Sequence, residues 1–128
     1  MSGPAKILAV DDEPDFELLI KQRFRQRIRT GDLAFRFARH GEEALAVLAE
    51  EPDIGLLLLD INMPGMDGLG LLQKVKAQRA DLAVIMVTAY GDDERRRKAT
   101  EYGASEFVTK PVDFELLKQQ LQQLRPAS

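Results

Sequence analysis

Short apolar runs alternate with amphipathic segments along the whole chain, and each apolar run predicts a strand. The five predicted strands span residues 6–10, 33–38, 54–59, 82–87 and 105–109. A run without polar alternation is typical of a strand that is buried on both faces, as in a parallel sheet. Since 54–59 is the most apolar run, we expect it to be central. The 33–38 run alternates bulky apolar positions with Ala and Arg, which is typical of an edge strand.

The segments between and after the strands predict five helices, at 14–29, 41–49, 68–77, 92–102 and 113–124. In the first of them Phe16, Phe24 and Ile28 recur at helical spacing, which predicts one buried stripe. Strict alternation of strands with helices is typical of an α/β protein whose parallel sheet is covered on both faces. We therefore expect a single doubly wound domain over residues 1–128, with its core at about 6–124.

The composition of the 128 residues is that of an ordinary globular protein, with 45% hydrophobic and 30% charged residues. No long apolar run or signal-peptide pattern is present, which favours a soluble protein of the cytoplasm that binds no membrane. The net charge of -3 gives no case for direct nucleic-acid binding. The absence of cysteine excludes disulfides, thiolate nucleophiles and Cys-ligated metals, and the single histidine cannot form a histidine metal cluster.

Polar side chains follow the predicted strands, at the edge where α/β sheets form their crevice. Asp11 and Asp12 follow the first strand, Asp60 the third, Thr88 the fourth and Lys110 the fifth. Two carboxylates about 4 Å apart repel each other by roughly 4 kcal/mol at an effective dielectric of about 20. Three carboxylates at one edge therefore require cations among them, and Lys110 supplies one.

The chemistry of this edge points to phosphoryl transfer. Ligation by oxygen atoms alone favours Mg²⁺ or Mn²⁺ over zinc. A divalent cation beside a lysine and a hydroxyl suits a phosphoryl group, whose oxygens must be neutralised during transfer. Asp60, at the end of the most buried strand, is the residue best placed to accept the phosphoryl group covalently as an acyl phosphate.

Four motifs in order along the chain resemble those of the receiver domains of two-component response regulators. They are VDDE at 10–13, LLDINMPGMDG at 58–68, VTAY at 87–90 and FVTKP at 107–111. The resemblance covers about 6–124 and is to receivers of the single-domain chemotaxis type. It implies a flavodoxin-like sheet of five parallel strands in the order 2-1-3-4-5, covered by five helices.

The resemblance assigns the acidic residues to phosphorylation and metal binding. It implies that Asp60 is the phosphoacceptor and that Asp12 and Asp60 ligate Mg²⁺ directly. The backbone carbonyl of Asn62 would be a third protein ligand, and Asp11 would act through water. Mn²⁺ is the expected substitute for Mg²⁺.

The resemblance also assigns residues that bind the phosphoryl group or take part in switching. Thr88 and the backbone amide of Ala89 would contact phosphoryl oxygens, and Lys110 would pair with another. Thr88 and Phe107 match the family's switch residues. Since many members have tyrosine where this chain has Phe107, no hydroxyl takes part in the switch here. The family often has a cis bond between the positions of Lys110 and Pro111.

We therefore expect a phosphoacceptor switch that assists its own phosphorylation and dephosphorylation but turns over no external substrate. A histidine kinase or a histidine phosphotransfer protein would donate the phosphoryl group to Asp60, with Mg²⁺ required. The added charge would draw Thr88 inward and let Phe107 follow, which changes the surface of residues 92–124. That surface would then act on a downstream protein or on a fused output domain.

Two other functions stay open from the sequence. A phosphotransferase or phosphatase of the haloacid dehalogenase type also uses an aspartate nucleophile, but it has a second aspartate two residues later, where this chain has Asn62. A pure interaction domain, whose phosphorylation site is unused, is the third interpretation. If the chain is a switch, Asn62 and Tyr90 would tune the lifetime of the acyl phosphate, and the bulk of Tyr90 would slow hydrolysis.

Several of these residues also have a purely structural interpretation. Asp11, Asp12 and Glu13 could cap the first helix, since carboxylates favour a helix N-terminus. Phe107 could serve in packing as much as in switching. We expect His40 in a solvated loop and not as a phosphodonor site.

Overall fold

Five parallel strands form one sheet in the computed structural model, which describes residues 5–61, 68–89 and 91–124. The strands are β1 (Ala5–Val10), β2 (Leu33–Ala38), β3 (Leu56–Asp60), β4 (Ala83–Thr88) and β5 (Glu106–Thr109). Their order is β2-β1-β3-β4-β5, so β3 is central and β2 is an edge strand, as predicted. The order also confirms the doubly wound, flavodoxin-like α/β fold.

Six helices, not the predicted five, are found in the described residues. They are α1 (Pro14–Arg23), α2 (Arg25–Arg29), α3 (Gly41–Glu50), α4 (Gly68–Gln78), α5 (Asp93–Glu101) and α6 (Phe114–Leu124). Within these ranges, none of the helices has the length and apolar character that a bilayer span requires.

The extra helix arises because the predicted first helix breaks at Phe24, where φ is -108° and ψ is 14°. The break is local, since the Phe24 amide still donates to the Ile20 carbonyl and the Phe24 carbonyl accepts from the Ile28 amide. The Phe24 ring is 1% exposed and packs with the rings of Phe35 and Phe114, at centroid distances of 5.5 and 6.4 Å. The apolar spacing continues across the break, which is why the sequence predicts one helix.

Two apolar layers lie between the sheet and its helices, one on each face. Leu57 and Leu59 of β3 belong to one layer, with residues of α3, α4 and α5. Leu56 and Leu58 belong to the other, with residues of α1 and α6. Because β3 also pairs with a strand on each side, all of its residues are buried, including the terminal Asp60. Among the five strands, β3, which carries this carboxylate, is the one in which every residue is buried.

Two strands end later than the sequence predicts. β3 includes Asp60, which lies opposite Val87, and β4 includes Thr88, which lies opposite Thr109. The amide of Lys110 then donates to the Thr88 carbonyl at 2.8 Å. These polar residues are thus held within or directly beside the strand ladder, and not in free loops.

His40 is exposed, as predicted, and it is also the N-cap residue of α3. Its Nδ1 accepts a hydrogen bond from the Glu43 amide at 3.2 Å, at the start of α3. The Glu43 carboxylate in turn accepts from the Arg39 amide at 2.8 Å. This reciprocal pair satisfies amide groups that the first turn of a helix leaves without partners.

Gly103, which follows α5, is held in a left-handed conformation with φ of 101°. A Cβ at this position would lie 3.1 Å from Lys76 Cε. Lys76 is anchored because its ammonium donates to the carbonyl oxygens of Leu82, at 2.6 Å, and Ala80, at 3.2 Å. Gly103→Ala is therefore expected to lower the free energy of unfolding by about 1–2 kcal/mol. Urea denaturation would measure this loss.

Gly70 provides the matched control, because it lies within α4 and an added Cβ would meet no atom within 4 Å. Alanine is the better helix former, so Gly70→Ala is expected to leave stability unchanged or raise it by up to about 1 kcal/mol. Equal stability of the two variants would contradict the strain assigned to Gly103.

Candidate functional site

Three aspartates converge at the carboxyl ends of β1 and β3. Carboxylate oxygens of Asp11, Asp12 and Asp60 all lie within 4.8 Å of one another. Asp60 is 2% exposed and Asp11 is 6% exposed, whereas Asp12 is half-buried. The structure thus brings together the carboxylates that the sequence places at strand ends, and Asp12 leaves the group in contact with solvent.

Lys110, directly after β5, faces this acidic group. Its Nζ lies 3.0 Å from Asp60 Oδ2, 3.7 Å from Asp11 Oδ2 and 3.9 Å from Glu13 Oε1. Burial lowers the pKa of Lys110, but the hydrogen bond to Asp60 and the surrounding negative charges outweigh it, so the pKa is raised. Lys110 is therefore a fixed cation. The peptide bond to Pro111 is cis, as the family resemblance implies.

Asp11 uses its two oxygens differently. Oδ1 accepts a hydrogen bond from the Glu13 amide at 2.9 Å, which orders the turn before α1. Oδ2 is buried and makes no hydrogen bond within the described residues. Burial raises the pKa of Asp11 to about 6, and the charge of Asp60 adds to this rise against the Glu13 amide and Lys110. The N-cap residue of α1, Glu13, makes no side-chain capping hydrogen bond with a described residue, so capping is not found there. Asp11 orders the turn before α1 and presents its second oxygen to the acidic group.

The acidic group fits a hard divalent cation. Its ligand atoms are all carboxylate oxygens, and the buried Oδ2 of Asp11 lacks a hydrogen-bond partner in the described part of the chain. One lysine beside three carboxylates leaves the group negative, so a cation would relieve the repulsion between them. Oxygen donors of this kind suit Mg²⁺ or Mn²⁺. Asn62, the other metal ligand that the resemblance implies, lies outside the described residues.

Thr88 ends β4 beside the acidic group and is fully buried. Its Oγ1 has no hydrogen-bond partner among the residues that the structure describes. A buried hydroxyl without a partner costs free energy, so such a group is poised to bond to an incoming oxygen. Ala89 follows in an exposed position, and its carbonyl accepts from the Asp92 amide at 3.3 Å. Tyr90 lies outside the described residues.

Phe107 of β5 is half-buried and packs against the core layer that contains α5. The guanidinium of Arg96 lies 5.0 Å from the centre of its ring, which is within the range of a cation–π interaction. The Phe107 carbonyl accepts from Gln120 Nε2 at 3.1 Å. Phe107 thus contributes to packing, as the structural interpretation expects, and also contacts α5 and α6.

Three residues near these groups carry contacts that the sequence does not predict. Glu13 approaches Lys110, Gln120 donates to the Phe107 carbonyl, and Arg95 donates to the Ile61 carbonyl. Glu13 stands next to two site aspartates, so the VDDE motif is a usable signal for it. Gln120 and Arg95 donate to backbone carbonyls. Every residue has a carbonyl, so the sequence does not indicate these contacts.

Comparison with known proteins identifies the family of this chain. Residues 7–122 match the family model described as the response regulator receiver domain. The chain belongs to the response regulator receiver family. This result places the receiver in two-component signalling, and it favours a signalling switch over a hydrolase of the haloacid dehalogenase type.

Similar proteins include both long regulators and proteins of about the same length. Response regulator protein PilR of Pseudomonas aeruginosa is 40% identical over 115 residues, which are 89% of this chain and 24% of PilR. Sporulation initiation phosphotransferase F of Bacillus subtilis is 34% identical over 122 residues, which are 94% of each chain. The chain therefore spans about a quarter of one relative and nearly all of the other.

A solved structure confirms the fold. The crystal structure of a response regulator receiver protein from Pseudomonas putida superposes with a TM-score of 0.86 at 27% sequence identity. The superposition covers 96% of this receiver and 99% of that chain.

Proposed function

We propose that this receiver is a phosphoacceptor switch in which Asp60 accepts a phosphoryl group from a phosphohistidine. The observation that carries the proposal is the buried Asp60 carboxylate, held 3.0 Å from Lys110 beside two further aspartates. Asp60 is the last residue of the central strand, so its carboxylate has little freedom to move. Such a fixed nucleophile loses little orientational freedom during transfer.

In the proposed step, a carboxylate oxygen of Asp60 forms a bond to phosphorus while the phosphorus–nitrogen bond of the donor breaks. The bonding electron pair returns to the imidazole nitrogen of the donor, and the product on Asp60 is an acyl phosphate. Lys110 pairs with an oxygen of the transferred group, because its ammonium already lies among the carboxylates. Thr88 and the amide of Ala89 donate to further phosphoryl oxygens.

Asp11, Asp12 and Asp60 would hold Mg²⁺, with the carbonyl of Asn62 as a further ligand and Asp11 acting through water. Mn²⁺ would substitute. When bound, the cation neutralises charge on the phosphoryl oxygens.

The proposed output is a change of the surface of residues 92–124. A hydrogen bond from the buried Thr88 hydroxyl to the phosphoryl group would draw this residue toward Asp60. Phe107, which packs on the neighbouring strand beneath Arg96, would move into the space left behind. The population of the two arrangements would then differ between the phosphorylated and the free protein.

The proposed partners are a histidine kinase or a histidine phosphotransfer protein as donor, and a downstream protein or fused output domain as receiver of the signal. We propose that residues 1–128 form one receiver unit that works in the cytoplasm. Asn62 and Tyr90 remain predicted tuners of the acyl phosphate lifetime.

Incubation with acetyl phosphate and Mg²⁺ tests the proposal. The wild-type protein is expected to gain one phosphoryl group by intact-mass spectrometry, and Asp60→Asn to gain none. Asp81→Asn is the matched control, because Asp81 is an exposed aspartate outside the site, and it should label like the wild type. Equal labelling of wild type and Asp60→Asn would refute the assignment, as would full labelling in the presence of a metal chelator.

A further inference from the structure

The carbonyl oxygen of Ile61, the residue after Asp60, is held by two other elements. Arg95 Nη2 of α5 donates to it at 2.8 Å, and the Gly68 amide of α4 donates at 3.4 Å. The Ile61 amide in turn donates to the Val87 carbonyl of β4 at 3.0 Å, and the residue is fully buried. The peptide that follows the proposed phosphoacceptor is therefore a junction of the sheet with two helices.

Close packing makes this junction stiff. A Cβ at Gly68 would lie 2.7 Å from Ile61 Cα and 2.8 Å from the Asp60 carbonyl oxygen. Only a residue without a side chain lets α4 begin this close to the end of β3. Arg95 of α5, on the same face of the sheet as α4, makes the shorter contact to the Ile61 carbonyl, at 2.8 Å against 3.4 Å for the Gly68 amide.

Arg95 is itself braced at the start of its helix. Its Nη1 lies 3.5 Å from Asp92 Oδ2, one turn earlier, and the two side chains are partly buried at 34% and 18% exposure. A guanidinium is planar and presents its donors in a fixed fork, so one side chain bonds to a carboxylate and a carbonyl together. The first turn of α5 is thus linked to a residue 34 positions earlier in the chain.

We propose that Arg95 is a positioning residue of the phosphorylation site, which restrains the backbone at Ile61, next to Asp60, and transmits the state of the site to α5. The proposal rests on the proposed function of Asp60. Arg95 and Gly68 hold the Ile61 carbonyl and Val87 holds the Ile61 amide, so both polar groups of the residue after Asp60 are restrained. Asp60, the proposed phosphoacceptor and metal ligand, directly precedes Ile61, so Arg95 supports it through the backbone.

The alternative is that Arg95 only stabilises α5. Arg97 provides the control for this alternative, since it lies on the same helix, is exposed and makes no hydrogen bond or ion pair with any described residue. Both residues carry the same charge, so replacing either changes the net charge equally. A purely structural role of Arg95 would alter thermal stability without altering the affinity of the site for metal.

The test compares Arg95→Met, Arg95→Lys and Arg97→Met with the wild-type protein. Mg²⁺ affinity of the unphosphorylated proteins is measured by isothermal titration calorimetry, and thermal stability is recorded for each. Loss of a group that supports a metal ligand typically weakens affinity by about 10-fold to 100-fold, and we expect about 10-fold for Arg95→Met. Arg95→Lys should recover part of the loss. An ammonium can donate to the Ile61 carbonyl, but it lacks the planar pair of nitrogens that also contacts Asp92.

Transmission to α5 has its own measurement. In ¹⁵N-labelled wild-type protein, saturation with Mg²⁺ is expected to shift the amide resonances of Asp93–Glu101, and in Arg95→Met these shifts should be lost. Arg97→Met should keep both the affinity and the shifts. A helix that was merely destabilised would show altered resonances without Mg²⁺, and its response to Mg²⁺ would persist.

Each outcome decides the inference. If Arg95→Met binds Mg²⁺ like the wild type and labels normally at Asp60, this inference is wrong and the proposed function stands. If the wild type itself neither binds Mg²⁺ nor accepts a phosphoryl group, the proposed function is wrong. The role inferred for Arg95 is then wrong as well. An equal loss of affinity in Arg97→Met would show that the effect is not specific to Arg95 and would also overturn the inference.

Discussion

Replacing Lys110 with methionine is expected to lower the free energy of unfolding of the metal-free protein by about 3 kcal/mol. The Lys110 ammonium is within hydrogen-bond distance of Asp60 at 3.0 Å, and the Asp60 side chain is only 2% exposed. Removing one partner of a buried ion pair leaves the other charge uncompensated, which typically costs about 3–5 kcal/mol. The lower figure applies because 35% of the Lys110 side chain is exposed. Urea denaturation in the presence of a chelator measures the change.

Lys118 provides a control with the same exposure. Its side chain is also 35% exposed, and it pairs with the exposed Glu115 at 3.7 Å. Pairs of this kind contribute at most about 1 kcal/mol, so Lys118→Met should change stability little. If Lys110→Met were no less stable than Lys118→Met, the charge balance assigned to the acidic group would be wrong.

A double-mutant cycle with Asp60→Asn isolates the pair. Asparagine has a similar shape but no charge, so methionine at position 110 should cost much less when Asp60 is replaced. The two substitutions are therefore expected to be strongly non-additive, which is the behaviour of residues in direct contact. Asp11 still faces Lys110 at 3.7 Å, so some of the cost should remain in the double variant.

Lys110→Met should also slow labelling of Asp60 by acetyl phosphate. Loss of one group that stabilises developing charge typically lowers a rate by about 10²-fold to 10³-fold. Labelling must be followed under conditions in which the variant is folded, as judged by circular dichroism. A folded Lys110→Met that labels at the wild-type rate would remove Lys110 from the proposed transfer step.

The fold could be predicted because the pattern that indicates it, alternation of strands with helices, extends along the whole chain. Strict alternation of strands and helices limits the chain to a parallel sheet with helices on both faces. The apolar run at 54–59 requires burial on both faces, and β3 at Leu56–Asp60 satisfies this as the central strand. The strand order itself comes from the family resemblance, since alternation alone is compatible with other orders.

Local features were predicted less well, because they depend on tertiary contacts. Phe24 keeps the helical spacing of its apolar stripe, yet its ring packs with Phe35 and Phe114 and its backbone leaves helical geometry. β3 and β4 each end one residue later than predicted, because strand pairing continues through a polar residue. A prediction based on hydrophobicity ends the strand before that residue. Asp60 and Thr88 are thus strand residues despite their polarity.

The candidate site was predictable to the extent that it lies at strand ends. Asp11, Asp60, Thr88 and Lys110 lie at the ends of separate strands, and the topology of a parallel sheet brings such ends to one edge. Arg95 was not predictable in this way. Its partner is the backbone of Ile61, and every residue has a carbonyl, so nothing in the sequence distinguishes this one.

Asp11 should make the stability of the metal-free protein depend on pH, with a sign opposite to that of a salt-bridged aspartate. Burial raises its pKa from 3.8 to about 6 in the folded protein. Between these values the folded state keeps a proton that the unfolded state has lost, so the free energy of unfolding falls as pH rises. One pKa unit corresponds to about 1.4 kcal/mol, and the partly exposed Asp12 and Lys110 admit screening water, so the total loss should be about 2 kcal/mol.

Asp11→Asn separates this contribution from those of the other carboxylates. Asparagine does not titrate, so the difference in stability between variant and wild type should be smallest near the pH of 3.8 and largest above about 6. Above that pH, the metal-free variant is expected to be the more stable protein. Chemical denaturation at several pH values measures the difference, and a constant difference across the range would contradict the raised pKa of Asp11.

Mg²⁺ should reverse this order, because a cation binds the ionised carboxylate and competes with the proton. The increase in melting temperature caused by Mg²⁺ should therefore be larger at about pH 7.5 than at about pH 5 in the wild-type protein. Asp11→Asn should show a smaller increase that depends less on pH. A larger response of the wild-type protein than of Asp11→Asn would favour ligand binding over helix capping as the role of Asp11. An equal response of both proteins to Mg²⁺ at both pH values would contradict this explanation.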